Sequence, residues 1–296
     1  MNRQPLIYKI IIHVVMMLVV AAIILPFLLL FLSSITEEAT LLTYGYSFFP
    51  RKVSLESYSY IFRSSDKILG AYGMTIAITV VGTLLNITLS TLMAYPLSQR
   101  NLPFGKIMTF YVFFTMLFSG GLVPSYIMWT RYLGVKDTFW GLILPSYLVS
   151  AMNVLMIRTY FRNSIPEALY EAARIDGAGQ FRVFRSIGLP LGKPILVTMG
   201  TFAALTYWND WMNGLYYIAK RTDLYGIQSV LNKMVTDLQF LTSGTMSGYA
   251  SAELARVPST GVQMAIAFVA ILPILVMFPF LQKYYQKGIA LGAVKG

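Results

Sequence analysis

From residue 164 to residue 194 the chain reads S-I-P-E-A-L-Y-E-A-A-R-I-D-G-A-G-Q-F-R-V-F-R-S-I-G-L-P-L-G-K-P, a charge-bearing stretch with helical periodicity between two apolar runs. Ser164 followed three residues later by Glu167 is a capping-box pair, so a helix is expected to start there with Pro166 in its first turn. Ile165, Leu169, Ala172 and Asp176 then share one face, while Glu167, Glu171 and Arg174 lie largely on the other. Gly177 is expected to stop this helix in a left-handed conformation that a side chain would penalise. A second short helix follows, with Phe181 and Phe184 one turn apart, and Leu189-Pro190 is expected to close it. Two short helices bent about a glycine make a compact knob at a membrane surface.

The rest of the chain supplies the membrane. Of its 296 residues 56% are hydrophobic and 12% charged, with a mean hydropathy of +0.63. Soluble domains carry about 25% charged residues, so this composition reads as a membrane protein, and its long apolar runs as an all-α one. The chain has no cysteine, which excludes disulfides, thiol catalysis and Cys-based metal sites. The single histidine, His13, sits in the first apolar run and reads as a tolerated or packed residue, not a ligand. That run, roughly 10 to 32, is too long for the ~7–15 residue core of a secretory signal and reads as a retained helix.

Six spans are expected, at about 10–32, 69–97, 107–129, 139–160, 195–217 and 260–282. The expected organisation is an N-terminal helix with an external segment (1–68), a transmembrane domain (69–282) and a cytoplasmic tail (283–296). Within the second part, 161–194 is the knob-bearing loop and 218–259 an external loop, in which Gln239 to Gly248 reads as a protruding contact segment. With the N-terminus inside, 13 of the 23 Lys and Arg residues fall on the cytoplasmic side, a modest excess that also places the knob inside. The net charge of +11 thus reads as topology, with no nucleic-acid partner expected. Thr43-Tyr44-Gly45-Tyr46 carries part of a potassium-filter pattern, but no pore helix and span follow directly, so it reads as an external turn. Ser119-Gly120-Gly121, Pro124, Pro145 and Asn153 mark close helix packing or kinks around a cavity.

The fifth run holds Tyr207-Trp208-Asn209-Asp210-Trp211-Met212-Asn213. A carboxylate in hydrocarbon costs at least ~2.5 kcal/mol, so Asp210 is expected to face a wet or protein-lined interior. Aromatic faces beside amide and carboxylate groups suit a sugar, and Tyr207, Trp208, Asn209, Asp210, Trp211, Asn213 and Asn153 are the candidate substrate path. An aromatic belt at the outer interface is the competing reading.

Glu171-Ala172-Ala173, three residues, Gly177, nine residues, Ile187, one residue, then Leu189-Pro190 resembles the EAA signature of ABC-importer permeases. Asp176-Gly177-Ala178 and Pro194 resemble the form found in the carbohydrate-uptake branch, the MalG-like and LplC/YtcP-like permeases. The resemblance implies a six-helix MetI/MalG-like fold in a bacterial cytoplasmic (inner) membrane, with both termini cytoplasmic. It implies that Glu171, Ala172, Ala173, Asp176, Gly177, Phe181, Phe184, Leu189 and Pro190 dock on an ATP-binding subunit. Two such subunits, a second homologous permease and an extracytoplasmic solute-binding protein are the partners it implies. The cargo it implies is a sugar: oligosaccharides or polysaccharide fragments, acidic ones such as alginate included. The implied mechanism is alternating access, with the knob carried by the ATPases as they close. No G-x-x-x-x-G-K-[ST] occurs, so ATP and Mg²⁺ are expected on partner chains and this chain is not expected to be an enzyme. The alternative is an ion-coupled secondary transporter or channel without ATPase partners.

Overall fold

A computed structural model describes residues 6–62, 65–242 and 260–276. In chain order its helices are α1 (Leu6–Ser34), α2 (Glu38–Tyr44), α3 (Glu56–Phe62), α4 (Ser65–Ser98), α5 (Gly105–Leu117), α6 (Leu122–Ile127), α7 (Ala151–Asn163), α8 (Glu167–Ile175), α9 (Gln180–Val183), α10 (Leu189–Trp208), α11 (Met212–Tyr217), α12 (Ile227–Thr242) and α13 (Thr260–Val276). Among the described residues the only strand-like pairing is one isolated bridge, Thr36 to Val53. Long apolar helices satisfy their own backbone groups, which is what hydrocarbon demands.

The chain divides into two compact units. The first holds residues up to Ile68 with 231–275. In it Phe31 of α1 meets Phe268 of α13 with ring centroids 4.9 Å apart. The Glu38 carboxylate accepts the backbone N–H groups of Thr260 at 2.9 Å and Gly261 at 2.7 Å, capping a helix more than two hundred residues away in sequence. The turn at Thr43–Tyr46 is present: α2 ends at Tyr44, and Gly45 takes φ +73°.

The second unit, Leu69 to Val230 with Val276 among the described residues, carries both candidate sites. Its frame is α4, 34 residues long, about 50 Å at 1.5 Å per residue. One core joins the end of α4 to α7, α8, α9 and α10 through Ala94, Tyr95, Val154, Ile157, Phe161, Tyr170, Phe184 and Met199. A second core, around Ile78, Leu142, Ile143, Tyr207, Ile218 and Leu224, packs on the earlier part of α4.

The apolar runs are less regular than the sequence predicts. Three helices are long and apolar enough to cross a bilayer: Ile7–Ser34, Lys67–Ser98 and Gln180–Trp208. The third run is a pair, Gly105–Leu117 and Leu122–Tyr132, bent by 108°. Extended backbone at Phe118 and a φ of +87° at Gly121 make that bend, at the glycine pair marked above. The fourth run, expected as one helix over 139–160, is broken. A short 3-10 turn over Phe139–Leu142 gives way to non-helical backbone, with Ser146 at φ +68°, before α7 begins at Ala151. Pro145 cannot donate to a helical ladder, and that loosens this stretch.

The fifth run is displaced towards the N-terminus. Leu189-Pro190 does not close the second knob helix: α9 passes through a π-helical turn at Phe184–Gly188 straight into α10, with Pro190 in the first turn of α10. Within this continuous helix the missing N–H of Pro190 is accommodated by the wider π-helical turn just before it. The far end comes at Trp208, not 217, and Asn209 to Trp211 separate it from α11. The expected external loop contains a 16-residue helix, α12. The end of the last run (277–282), residues 243–248 of the contact segment and the tail (283–296) lie outside the described residues.

Candidate functional site

The knob is built as two helices about Gly177, and the structure decides which of its faces is buried. Ser164 ends α7 instead of capping α8, which starts at Glu167 behind Pro166 without a side-chain cap. Glu167 reaches Arg100 at 3.0 Å instead. The N–H groups of Gly177 and Ala178 donate to the carbonyls of Arg174 at 3.0 Å and Ala173 at 2.9 Å, a Schellman stop with Gly177 at φ +77°. The buried face is Tyr170 with partly buried Ala173 and Arg174, not the Leu169–Ala172 face. Tyr170 rests edge-on against Tyr95 at 6.2 Å, and burial pushes its phenol up to about 12. Arg174 donates through Nη2 to Gln99 Oε1 at 2.6 Å. The knob is thereby welded to the end of α4 through a packed core and a polar clasp.

What remains outside is apolar. Leu169 is 43%, Ile175 86% and Phe181 70% exposed, beside exposed Glu171, Ala172 and Asp176. Phe184 is buried against Tyr95, ring centroids 4.8 Å apart, with Leu189 partly buried behind it and Pro190 exposed. Of the two phenylalanines, one anchors the knob and the other is presented.

The second site lies around the break in the fourth run. Unwound backbone leaves carbonyls that need donors, and three elements supply them. Tyr207 Oη–H donates to the Ile143 carbonyl at 3.1 Å, Asn213 Nδ2–H to that of Pro145 at 3.2 Å, and Asn86 Nδ2–H to that of Tyr147 at 2.7 Å. Asn86 Oδ1 in turn accepts from Asn153 Nδ2–H at 2.8 Å. All four of these side chains are buried. Every second carbonyl from 143 to 147 is thus clamped by a different helix, which holds open what a continuous helix would fill.

Two adjoining recesses flank Tyr147, each of about 410 Å³. Both sit within the ~300–1,000 Å³ usual for small-molecule sites. One is lined by Asn86, Ser150, Asn153, Phe202, Thr206 and Tyr207, and the other by Thr206, Asn209, Asp210 and Trp211. Asp210 Oδ1 accepts the N–H groups of Met212 at 3.1 Å and Asn213 at 3.2 Å, and lies 3.5 Å from Tyr147 Oη. Of the seven residues taken from the sequence, the structure sets Asn153, Tyr207, Asn209, Asp210 and Trp211 on the recess walls. Trp208 and Asn213 line neither recess: both are buried in the packing around it.

Sequence reasoning missed Asn86, Tyr147 and Thr206. Asn86 had a signal, an amide in the middle of an apolar run that must find a partner. Tyr147 had none, because its place follows from the break. Also missed was Asp137, in left-handed backbone at φ +57°. Its Oδ1 accepts the N–H groups of Ala219 and Lys220, both at 2.7 Å, and of Arg221 at 3.3 Å. The N–H groups of Lys220 and Ala219 hold this carboxyl below the usual carboxylate range. It ties the loop before residue 139 to the turn after α11.

A glycine-bent knob fused to long apolar helices beside a polar recess is an arrangement shared with known proteins. A family model described as the binding-protein-dependent transport system inner membrane component matches residues 86–291. Protein LplC of Bacillus subtilis (strain 168) is 38% identical over 275 residues, covering 92% of this chain and 90% of that one. The polygalacturonan/rhamnogalacturonan transport system permease protein YtcP of the same organism is 37% identical over 273 residues, covering 92% and 93%. The crystal structure of a bacterial ABC transporter involved in the import of the acidic polysaccharide alginate matches with a TM-score of 0.77 at 26% identity, over 96% of this chain and 99% of that chain. This chain belongs to the binding-protein-dependent transport system inner membrane components.

Proposed function

We propose that this chain is one of two permease subunits of an ATP-driven importer of oligosaccharides, with both its termini in the cytoplasm. Two ATP-binding subunits hold the ATP and Mg²⁺, and an extracytoplasmic solute-binding protein delivers the sugar. The observation that carries this reading is the knob: an exposed apolar patch on a rigid mount. Leu169, Ile175 and Phe181 together offer apolar area that a soluble groove can cover, at about 25 cal/mol per Å² buried. The mount is the shared core with α4, α7 and α10, so displacing the knob displaces the helices that wall the recess. A docked loop without that core would dissipate the displacement. ATP drives such a cycle only if it favours one of two conformations, which here differ in the side to which the recess opens. The saccharide cargo is supported by the recess walls, where aromatic faces alternate with amides and hydroxyls, and by the cargo named for YtcP and for the alginate importer.

The test is purification of the intact membrane complex. Two ATPase subunits and a second permease are expected to co-purify, and a saccharide-loaded binding protein should stimulate hydrolysis in proteoliposomes. Isolation of the chain with no ATPase, in any detergent or nanodisc, would overturn the assignment. Topology has its own measurement. The chain has no cysteine, so single cysteines placed at exposed Gln180 and exposed Lys136 report their own side of the membrane. Impermeant maleimide is expected to label them from opposite sides, and labelling of both from one side would refute the orientation.

A further inference from the structure

Resting on the saccharide reading above, we infer that the double recess around Tyr147 takes uncharged, hydroxyl-rich sugar residues and discriminates against carboxylated ones. The acidic cargo named for two relatives would point the other way, so the walls decide. Among the described residues that line the two recesses there is one carboxylate, Asp210, and no Lys or Arg. The other polar side chains are neutral, among them Ser146, Ser150, Thr206 and Asn209. Amides and hydroxyls serve sugar hydroxyls as donors and acceptors alike, whereas a carboxylate accepts only. The carboxylate of a uronate therefore meets in Asp210 an acceptor it cannot donate to, and a like charge.

The aromatic walls suit the same cargo. Tyr147, braced edge to face against buried Tyr207 at 5.7 Å, and Trp211, 39% exposed on the neighbouring wall, give flat apolar faces for a sugar ring. At ~6 Å and an effective dielectric of ~20, two like charges repel strongly enough for about a hundredfold discrimination. Water in an open recess screens part of this, leaving about tenfold. Wall residues specify such a site through what they leave unpaired in the wrong ligand.

Asp210→Asn isolates the charge. Asn caps a helix as well as Asp, so the bonds to Met212 and Asn213 that start α11 survive. The assembled importer, with its own binding protein and ATPases, is placed in proteoliposomes and offered trigalacturonate or its full methyl ester. The two probes share one carbon skeleton and differ in charge. The binding protein is common to both variants, so its own preference cancels when the variants are compared. The ratio of ester to acid uptake is expected to fall about tenfold in Asp210→Asn and to return in Asp210→Glu. An unchanged ratio, or an equal loss of both cargoes, overturns the inference and reduces Asp210 to a helix cap while the importer reading stands. Failure of the wild-type complex to carry any saccharide, neutral or acidic, overturns the saccharide reading and this inference with it.

Discussion

Gly82→Val is expected to reduce uptake at least tenfold and to lower the thermal stability of the complex, although Gly82 lines neither recess. A Cβ at Gly82 would lie 2.6 Å from Cζ of the Tyr207 ring and 2.7 Å from both Cε atoms. Tyr207 cannot retreat, because it is 2% exposed and its hydroxyl clamps the Ile143 carbonyl. Overpacking of this kind costs about 1–3 kcal/mol for added methylenes, and a β-branched side chain in a helix has few rotamers with which to dodge. If Tyr207 moves, a buried carbonyl loses its donor, at a further ~1–3 kcal/mol. Each 1.4 kcal/mol is about tenfold in an equilibrium, so the broken segment would spend much of its time unclamped. Gly73→Val on the same helix is the control, since nothing lies within 4 Å of its Cβ. It should be tolerated, and Gly82→Val combined with Tyr207→Leu should recover part of the stability. Equal melting temperatures and equal uptake for Gly82→Val and wild type would show that Tyr207 does not wedge against α4.

The knob carries the second large effect. Gly177→Val and Glu171→Lys should each cut coupled uptake by about tenfold or more while leaving the chain inserted in the membrane. They act differently. At Gly177 there is open space around the missing Cβ, so the penalty is conformational: φ +77° is left-handed backbone, which costs an ordinary residue ~1–2 kcal/mol and a β-branched one more. The Schellman bonds to Ala173 and Arg174 then compete with that strain, and α9 loses its aim. Glu171 is exposed and no bond to it is seen among the described residues, so Glu171→Lys leaves the knob folded and reverses a charge facing the partner. Three readings separate the cases in the assembled complex: ATPase subunit retained, stimulated hydrolysis, and uptake. Glu171→Lys should lose the ATPase subunit first, whereas Gly177→Val should retain more of it and lose stimulation. Normal values of all three for both variants would leave the knob a surface loop.

The contrast between those two sites also divides what could be read from the chain and what could not. The glycine stop at Gly177 is local: its φ depends on having no Cβ, and the pattern around it spells that out. The second knob helix was misread at Leu189-Pro190 for an equally local reason. Proline after leucine commonly ends a helix, but it also begins one, and the choice depends on whether the preceding helix supplies the lost bond through a π-helical turn. Which face of α8 is buried was not legible, because nothing local tells that Gln99 at the end of α4 offers Arg174 a partner inside.

By itself the sequence determined that this is a helical membrane protein with a polar, glycine-bent knob between apolar runs, because hydropathy, length and a missing Cβ act over a few residues. It also marked Asp210 as a group that hydrocarbon would not tolerate. Only the tertiary structure decided that the fourth run is broken, which carbonyls Asn86, Tyr207 and Asn213 clamp, and that Tyr147 divides the recess. Those are contacts between residues 61 to 68 positions apart. A buried amide announces in any sequence that it needs a partner, but which carbonyl it finds is set by how the helices pack.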